Sequence, residues 1–225
     1  MRIIRIALRA LLVLALLLGG AALWKREEIA RLLAVNSLFA PDKITANFSH
    51  MNQLFLTRAL DIGAGPVSSL PAGAPMVMPA SVGPWVEARW ITAMVVLEDG
   101  ELVHESYYRG TGPDDLRISW SVAKSFLSAL FGILHAEGTI PDLDAQVVSL
   151  APALRGSAYD GVSIRNVLTM SSGVAFNEDY LDFNSDINRM GRVLALGGSM
   201  NGFAAGLRER SDQPGAHWHY VSIDT

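Results

Sequence analysis

The sequence predicts an α/β (α+β) fold, a helical cluster with an antiparallel sheet, behind a single N-terminal transmembrane helix. Three observations lead there. Residues 91–98 and 101–108 are β-prone runs joined by Asp99-Gly100, a pair suited to the tight primed turn of a hairpin. In the helix expected over 118–137, Val122, Phe126, Leu127, Leu130, Phe131 and Leu134 recur at helical spacing as a broad apolar face. Residues 10–24 form an unbroken apolar run near the N-terminus.

Arg2, Arg5 and Arg9 precede that run. Counted from Ile3 to Trp24 it is 22 residues long, enough to span a bilayer with two arginines snorkelling to the headgroups. Gly19, Gly20, Ala21 and Ala22 offer a signal-peptide cleavage site, whereas Ile29, Leu32 and Leu33 continue the helical spacing and favour a retained anchor. Residues 1–40 are therefore read as a membrane anchor or signal segment. The positive flank keeps the N-terminus cytoplasmic. The remainder is expected in the periplasm, tethered to the inner membrane, or secreted if the segment is cleaved.

Beyond the anchor, Pro41-Asp42 breaks the helix, and Met51, Leu54, Phe55 and Leu60 suggest a short packed segment. Residues 61–85 are punctuated by glycine and proline and read as a surface loop, so 41–89 forms a linker and N-terminal extension. The domain proper occupies 90–225. Its first strand is nearly all apolar, as for a strand buried on both faces, while the second alternates. Gly138 ends the apolar helix at a C-cap position. Residues 139–156 are read as a turn with a short helix, and 163–170 as a second helix stopping at Ser171-Ser172-Gly173. Residues 176–184 are acidic and aromatic, either a solvated loop or the wall of a cleft, and 190–209 are helical with an interruption at Gly197-Gly198.

Composition removes several function classes. The chain is 50% hydrophobic and 18% charged, as in a globular protein. Its net charge is -4, and the part beyond residue 24 carries -7 once three arginines are removed, which disfavours nucleic acid as a partner. The absence of cysteine excludes thiol nucleophiles and cysteine-held metal centres. No nucleotide-binding glycine motif is present, so no cofactor is expected. His217 and His219, read as sharing one face of a strand, have only Asp212 and Asp224 nearby, and packing or a polar rim outweighs a metal site.

Chemistry concentrates at the start of the apolar helix. Ser121 and Lys124 lie three residues apart, on one helical face near a helix N-terminus that favours developing negative charge. Such a pair can serve as nucleophile and activating amine, since an amine held against apolar surface is a better base. The competing reading is that Ser119 or Ser121 caps the helix and Lys124 is solvated. With 19 serines and 3 lysines in the chain, roughly a quarter of a Ser-x-x-Lys match is expected by chance, so the motif alone decides little.

Downstream, Pro214-Gly215 is followed after four residues by Tyr220-Val221-Ser222. With Ser121-Val122-Ala123-Lys124-Ser125, this order resembles the serine β-lactamase and penicillin-binding-protein-like superfamily. The likeness is greatest to class C β-lactamases, related esterases and the 6-aminohexanoate-dimer hydrolase group. Residues 163–174, residues 101–110 and the run Asn177-Glu178-Asp179-Tyr180 are similar to segments of that family, the last to its nylon-oligomer branch. The likeness runs from about residue 90 to 225, and more loosely from 46.

The resemblance implies a serine hydrolase in which Ser121 attacks an ester or amide carbonyl and Lys124 with Tyr220 shuttles the proton. It implies that Ser222 and Tyr180 contact the substrate. Ser222 stands where class C enzymes carry asparagine, which weakens a β-lactam amide contact and shifts weight towards esterase or amidase action. The resemblance also implies further strands, a second oxyanion donor and a Lys-Thr-Gly or His-x-Gly motif beyond Thr225, so residues 90–225 are expected to be an incomplete domain with reduced activity. β-Lactamase or D-Ala-D-Ala carboxypeptidase activity, and a non-catalytic cell-envelope binding module, stay open as alternatives; the oligomeric state is open too.

Overall fold

A computed structural model describes residues 2–61 and 63–225. The chain divides into two compact units, Met1–Asn36 with Ser119–Thr225, and Ser37–Ile118.

The first unit begins with helix α1, Arg2–Trp24, and helix α2, Arg26–Asn36. Within α1, Ile4–Trp24 is long and apolar enough to cross a membrane, with mean hydropathy 2.4 and none of it buried. Helical structure resumes past Lys25, in line with the spacing of Ile29, Leu32 and Leu33.

The second unit contains α3 (Ile44–Ser49), α4 (Met51–Leu54), α5 (Val82–Ala88) and the hairpin β1 (Ala93–Glu98) and β2 (Glu101–Tyr107). The turn takes the expected primed form, with Asp99 at φ 49° and Gly100 at φ 86°. The strands pair from Ala93 with Tyr107 to Glu98 with Glu101, with an irregularity between Val96 and Leu97.

Two expectations need correction here. The glycine- and proline-rich stretch is more than a surface loop. Val82–Ala88 is helical, with Pro84 in the first turn, where a missing N–H costs little. Residues 71–76 also run along the free edge of β2, with Leu102 N–H donating to Pro71 O at 2.7 Å and Gly73 N–H to Leu102 O at 2.9 Å. A β-carbon on Gly73 would lie 2.9 Å from Glu101 Cβ and 3.0 Å from Val103 Cγ1, so a side chain there would push the segment off β2. Nor is β1 buried on both faces: Val95 and Leu97 are about half exposed, because the two-stranded sheet packs one side only.

Back in the first unit, α6 spans Val122–Ala136, shorter than expected, and no residue in it is fully buried. Its apolar face is divided: Leu127 and Phe131 line a cleft of about 690 Å³, whereas Phe126, Leu130 and Ile133 are exposed. There follow α7 (Val147–Leu150), a 3₁₀ turn over Pro152–Leu154, and α8 (Ile164–Leu168). Helix α8 starts where Ser163 and Asn166 form a reciprocal capping box. Next come α9 (Asp186–Ala195), capped by Ser185, and α10 (Met200–Gly206), capped by Ser199, with the break between them at Gly197-Gly198 as expected. Helix α2 docks on α9 through Arg31, whose Nε donates to Ala195 O at 2.8 Å, a cation on a helix C-terminus.

Two apolar clusters form the core of this unit. One gathers Ala158, Tyr159, Val162 and Val174; the other gathers Phe176, Val221 and Ile223, with Ile187, Met190 and Phe203 packed around it.

Candidate active site

The tyrosine is delivered by a return of the chain. Residues 209–219 run back along 170–175: Ala175 N–H donates to Glu209 O at 3.0 Å, Gly215 N–H to Ser171 O at 2.7 Å and His219 N–H to Met170 O at 2.8 Å. Gly173 permits this approach, since at φ 73° a β-carbon would lie 2.3 Å from the Asp212 carbonyl oxygen. Beyond the return the chain extends, with Val221 at φ -138° and ψ 125°. Ser222–Asp224 then close a 3₁₀ turn. Val221 and Ile223 enter the core, and Tyr220 and Ser222 face away from it, each half-buried.

Ser121 occupies the N-cap position of α6, but its side chain makes no capping hydrogen bond. The Ser121 Oγ lies 2.6 Å from Tyr220 Oη instead. The residue before it, Trp120, has φ 44°, a left-handed backbone that is costly for a bulky side chain and collects at functional sites.

Lys124 is half-buried one turn into the helix. Its Nζ donates to Thr225 Oγ1 at 2.6 Å and to Ser222 O at 3.5 Å, and stands 5.5 Å from the centre of the Tyr220 ring. Serine, lysine and tyrosine thus converge, with the serine paired to the tyrosine and the lysine touching its ring.

Glu178 closes the other side, accepting from the Ser222 N–H and, at 3.2 Å, from Ser222 Oγ–H. Tyr180 sits beside them, about half exposed; burial, then the charge of Glu178, pushes its phenol upward. Glu178 and Tyr180, from the stretch 176–184, thus lie against Ser222.

Beneath it lies Asp224, 7% exposed. Its Oδ1 accepts from Tyr159 Oη at 2.9 Å, while Oδ2 is buried. Burial raises its carboxyl to about 6, against the opposing pull of Ser172, Tyr159 and the Lys124 charge. The Tyr159 phenol is pushed well up, chiefly by burial and then by Asp224.

The sequence picked out the Ser121, Lys124 and Tyr220 group but gave Glu178, Thr225 and Asp224 no place in it. The signals for Glu178 were its position in an acidic, aromatic loop and the likeness of Asn177-Glu178-Asp179-Tyr180 to a family segment, neither of which gave it a role. His217 and His219 are not on a strand: the segment is irregular, and His217 Nδ1 pairs with Asp212 at the surface. That hydrogen bond holds the Asp212 carboxyl below its usual range.

The beta-lactamase family profile matches residues 86–224, more than half of the chain. The chain belongs to the beta-lactamase family. A 6-aminohexanoate-dimer hydrolase of Paenarthrobacter ureafaciens is 34% identical over 138 residues, covering 59% of this chain and 35% of that protein. A solved Bacillus anthracis structure, provisionally described as a 6-aminohexanoate-dimer hydrolase, superposes with a TM-score of 0.69 at 17% identity. It covers 84% of this chain and 53% of its own, and shows the fold. The chain thus spans about a third of the curated relative and about half of the structural one.

Proposed function

We propose that the protein is a serine hydrolase that cleaves an ester or amide through an acyl-enzyme on Ser121. The observation that carries this reading is the 2.6 Å contact between Ser121 Oγ and Tyr220 Oη, with the Lys124 ammonium against the same ring. A phenolate next to a fixed cation can take the serine proton as Oγ attacks the carbonyl carbon. The C–O or C–N bond then breaks, and the same phenol gives that proton to the departing alkoxide or amine. Water repeats the sequence in reverse: Tyr220 takes its proton, its oxygen attacks the acyl carbon, and Ser121 leaves with the proton returned.

Helix α6 begins at the nucleophile, so its N-terminus favours the oxyanion. The Ser121 N–H, which has no backbone acceptor among the described residues, supports its use as one donor. Tyr180 lines the substrate side, with Ser222 next to it. The apolar α1 supports a membrane anchor with the catalytic unit in the periplasm, or a secreted form after cleavage.

Two measurements test this. A small fluorophosphonate should modify Ser121, and Ser121→Ala should abolish labelling; labelling that persists in the alanine variant sinks the proposal. The family match favours β-lactam or D-Ala-D-Ala substrates as a second reading. Turnover of a penicillin, set against a short-chain ester and a linear amide, separates the two.

A further inference from the structure

We propose that Glu178 is a positioning residue that sets Tyr220 against Ser121, and that Ser222 serves as its strut rather than as a substrate contact. This rests on the serine-hydrolase reading of the site.

Ser222 is gripped from both ends. The Glu178 carboxylate accepts its N–H and its Oγ–H, while Lys124 Nζ donates to its carbonyl oxygen at 3.5 Å. An anion on the donor end and a cation on the acceptor end both match the local dipoles, and hydrogen bonds to charged groups are the strong ones. The Ser222 hydroxyl is engaged within the protein, by Glu178 at 3.2 Å and by the Tyr180 side chain, which turns its donor from substrate. The peptide leading into Ser222 is thereby fixed, and Tyr220 lies two residues before it.

Glu178 is itself held in place. Phe176, two residues earlier, packs with Val221 and Ile223. Asn177 N–H donates to Asp186 Oδ2 at 2.9 Å, and its carbonyl accepts from Ile187 N–H at 3.1 Å, tying the loop to the first turn of α9. The carboxylate therefore transmits the position of a packed loop to the extended segment carrying Tyr220. A displacement of about 1 Å at a proton-transferring group can cost a hundredfold in rate.

The test is the rate at which a small fluorophosphonate labels Ser121 in wild type, E178Q, Y220F and E178Q/Y220F. E178Q keeps the size of the side chain but places an N–H against one of the two Ser222 donors. Its maximal labelling rate should fall about ten- to a hundredfold with the half-saturating probe concentration within about twofold. On the Y220F background the same change should cost less than about twofold, because both act through one hydroxyl. A purely structural role would carry the full loss into both backgrounds. That result, or E178Q labelling at the wild-type rate, overturns the proposal. Wild type that fails to label at Ser121 overturns the serine-hydrolase reading itself.

Discussion

A serine at the first turn of a helix has two ordinary uses, and at position 121 a single distance separates them. A capping serine accepts from a backbone N–H within the first turn. Ser163, Ser185 and Ser199 all do so, and Ser121 pairs with Tyr220 instead. Removing that phenolic hydroxyl in Tyr220→Phe should lower ester hydrolysis or probe labelling by about 10²- to 10⁴-fold, with the circular dichroism spectrum unchanged. Asp224 supplies a stability effect at the same scale. Its carboxyl is raised from the ordinary 3.8 to about 6, so the folded state holds the proton more tightly than the unfolded chain. The stabilisation is complete below about pH 4 and is lost as pH rises through about 6. At about 1.4 kcal/mol per tenfold change it amounts to about 3 kcal/mol. Asp224→Asn, which can still accept from Tyr159, should flatten thermal stability between pH 4 and 7 and raise the midpoint at pH 7.

Elements bring Tyr220 to Ser121 across 99 residues of sequence. The return of 209–219 along 170–175 depends on Gly173, where both the positive φ and the contact with Asp212 exclude a side chain. Gly173→Ala should cost about 2 kcal/mol or more, a fall of about 4–8 °C in a chain of this size, and should slow Ser121 labelling as the two segments part. Ser163→Ala, which removes the capping box of α8, should cost about 1 kcal/mol and leave labelling unchanged. Comparing the two by calorimetry and labelling separates the element that aims the tyrosine from one that only supports the core.

At the scale of the molecule, α1 buries nothing in its apolar stretch, and every side chain placed at the site lies in the unit formed by Met1–Asn36 with Ser119–Thr225. Deleting residues 2–24 should move the protein from the membrane fraction to the soluble fraction while Ser121 labels at an unchanged rate; fractionation followed by labelling checks both. Helix α2, held by Arg31 to Ala195, should remain folded in that variant.

Local pattern alone carried several features. Asp99-Gly100 specified a primed turn because both residues tolerate positive φ, the glycine pair at 197–198 broke a helical run, and the apolar run of α1 measured a bilayer. Ser121, Lys124 and Tyr220 were legible too, through spacing and likeness to a family. What tertiary structure alone decided is which atoms meet. Glu178 against Ser222, Lys124 against Thr225 and Tyr159 against Asp224 are contacts between residues 44, 101 and 65 positions apart, which no local periodicity encodes. It also corrected the extent of burial in β1, because an apolar pattern states what a face could bury and the surrounding packing settles how much of it is covered.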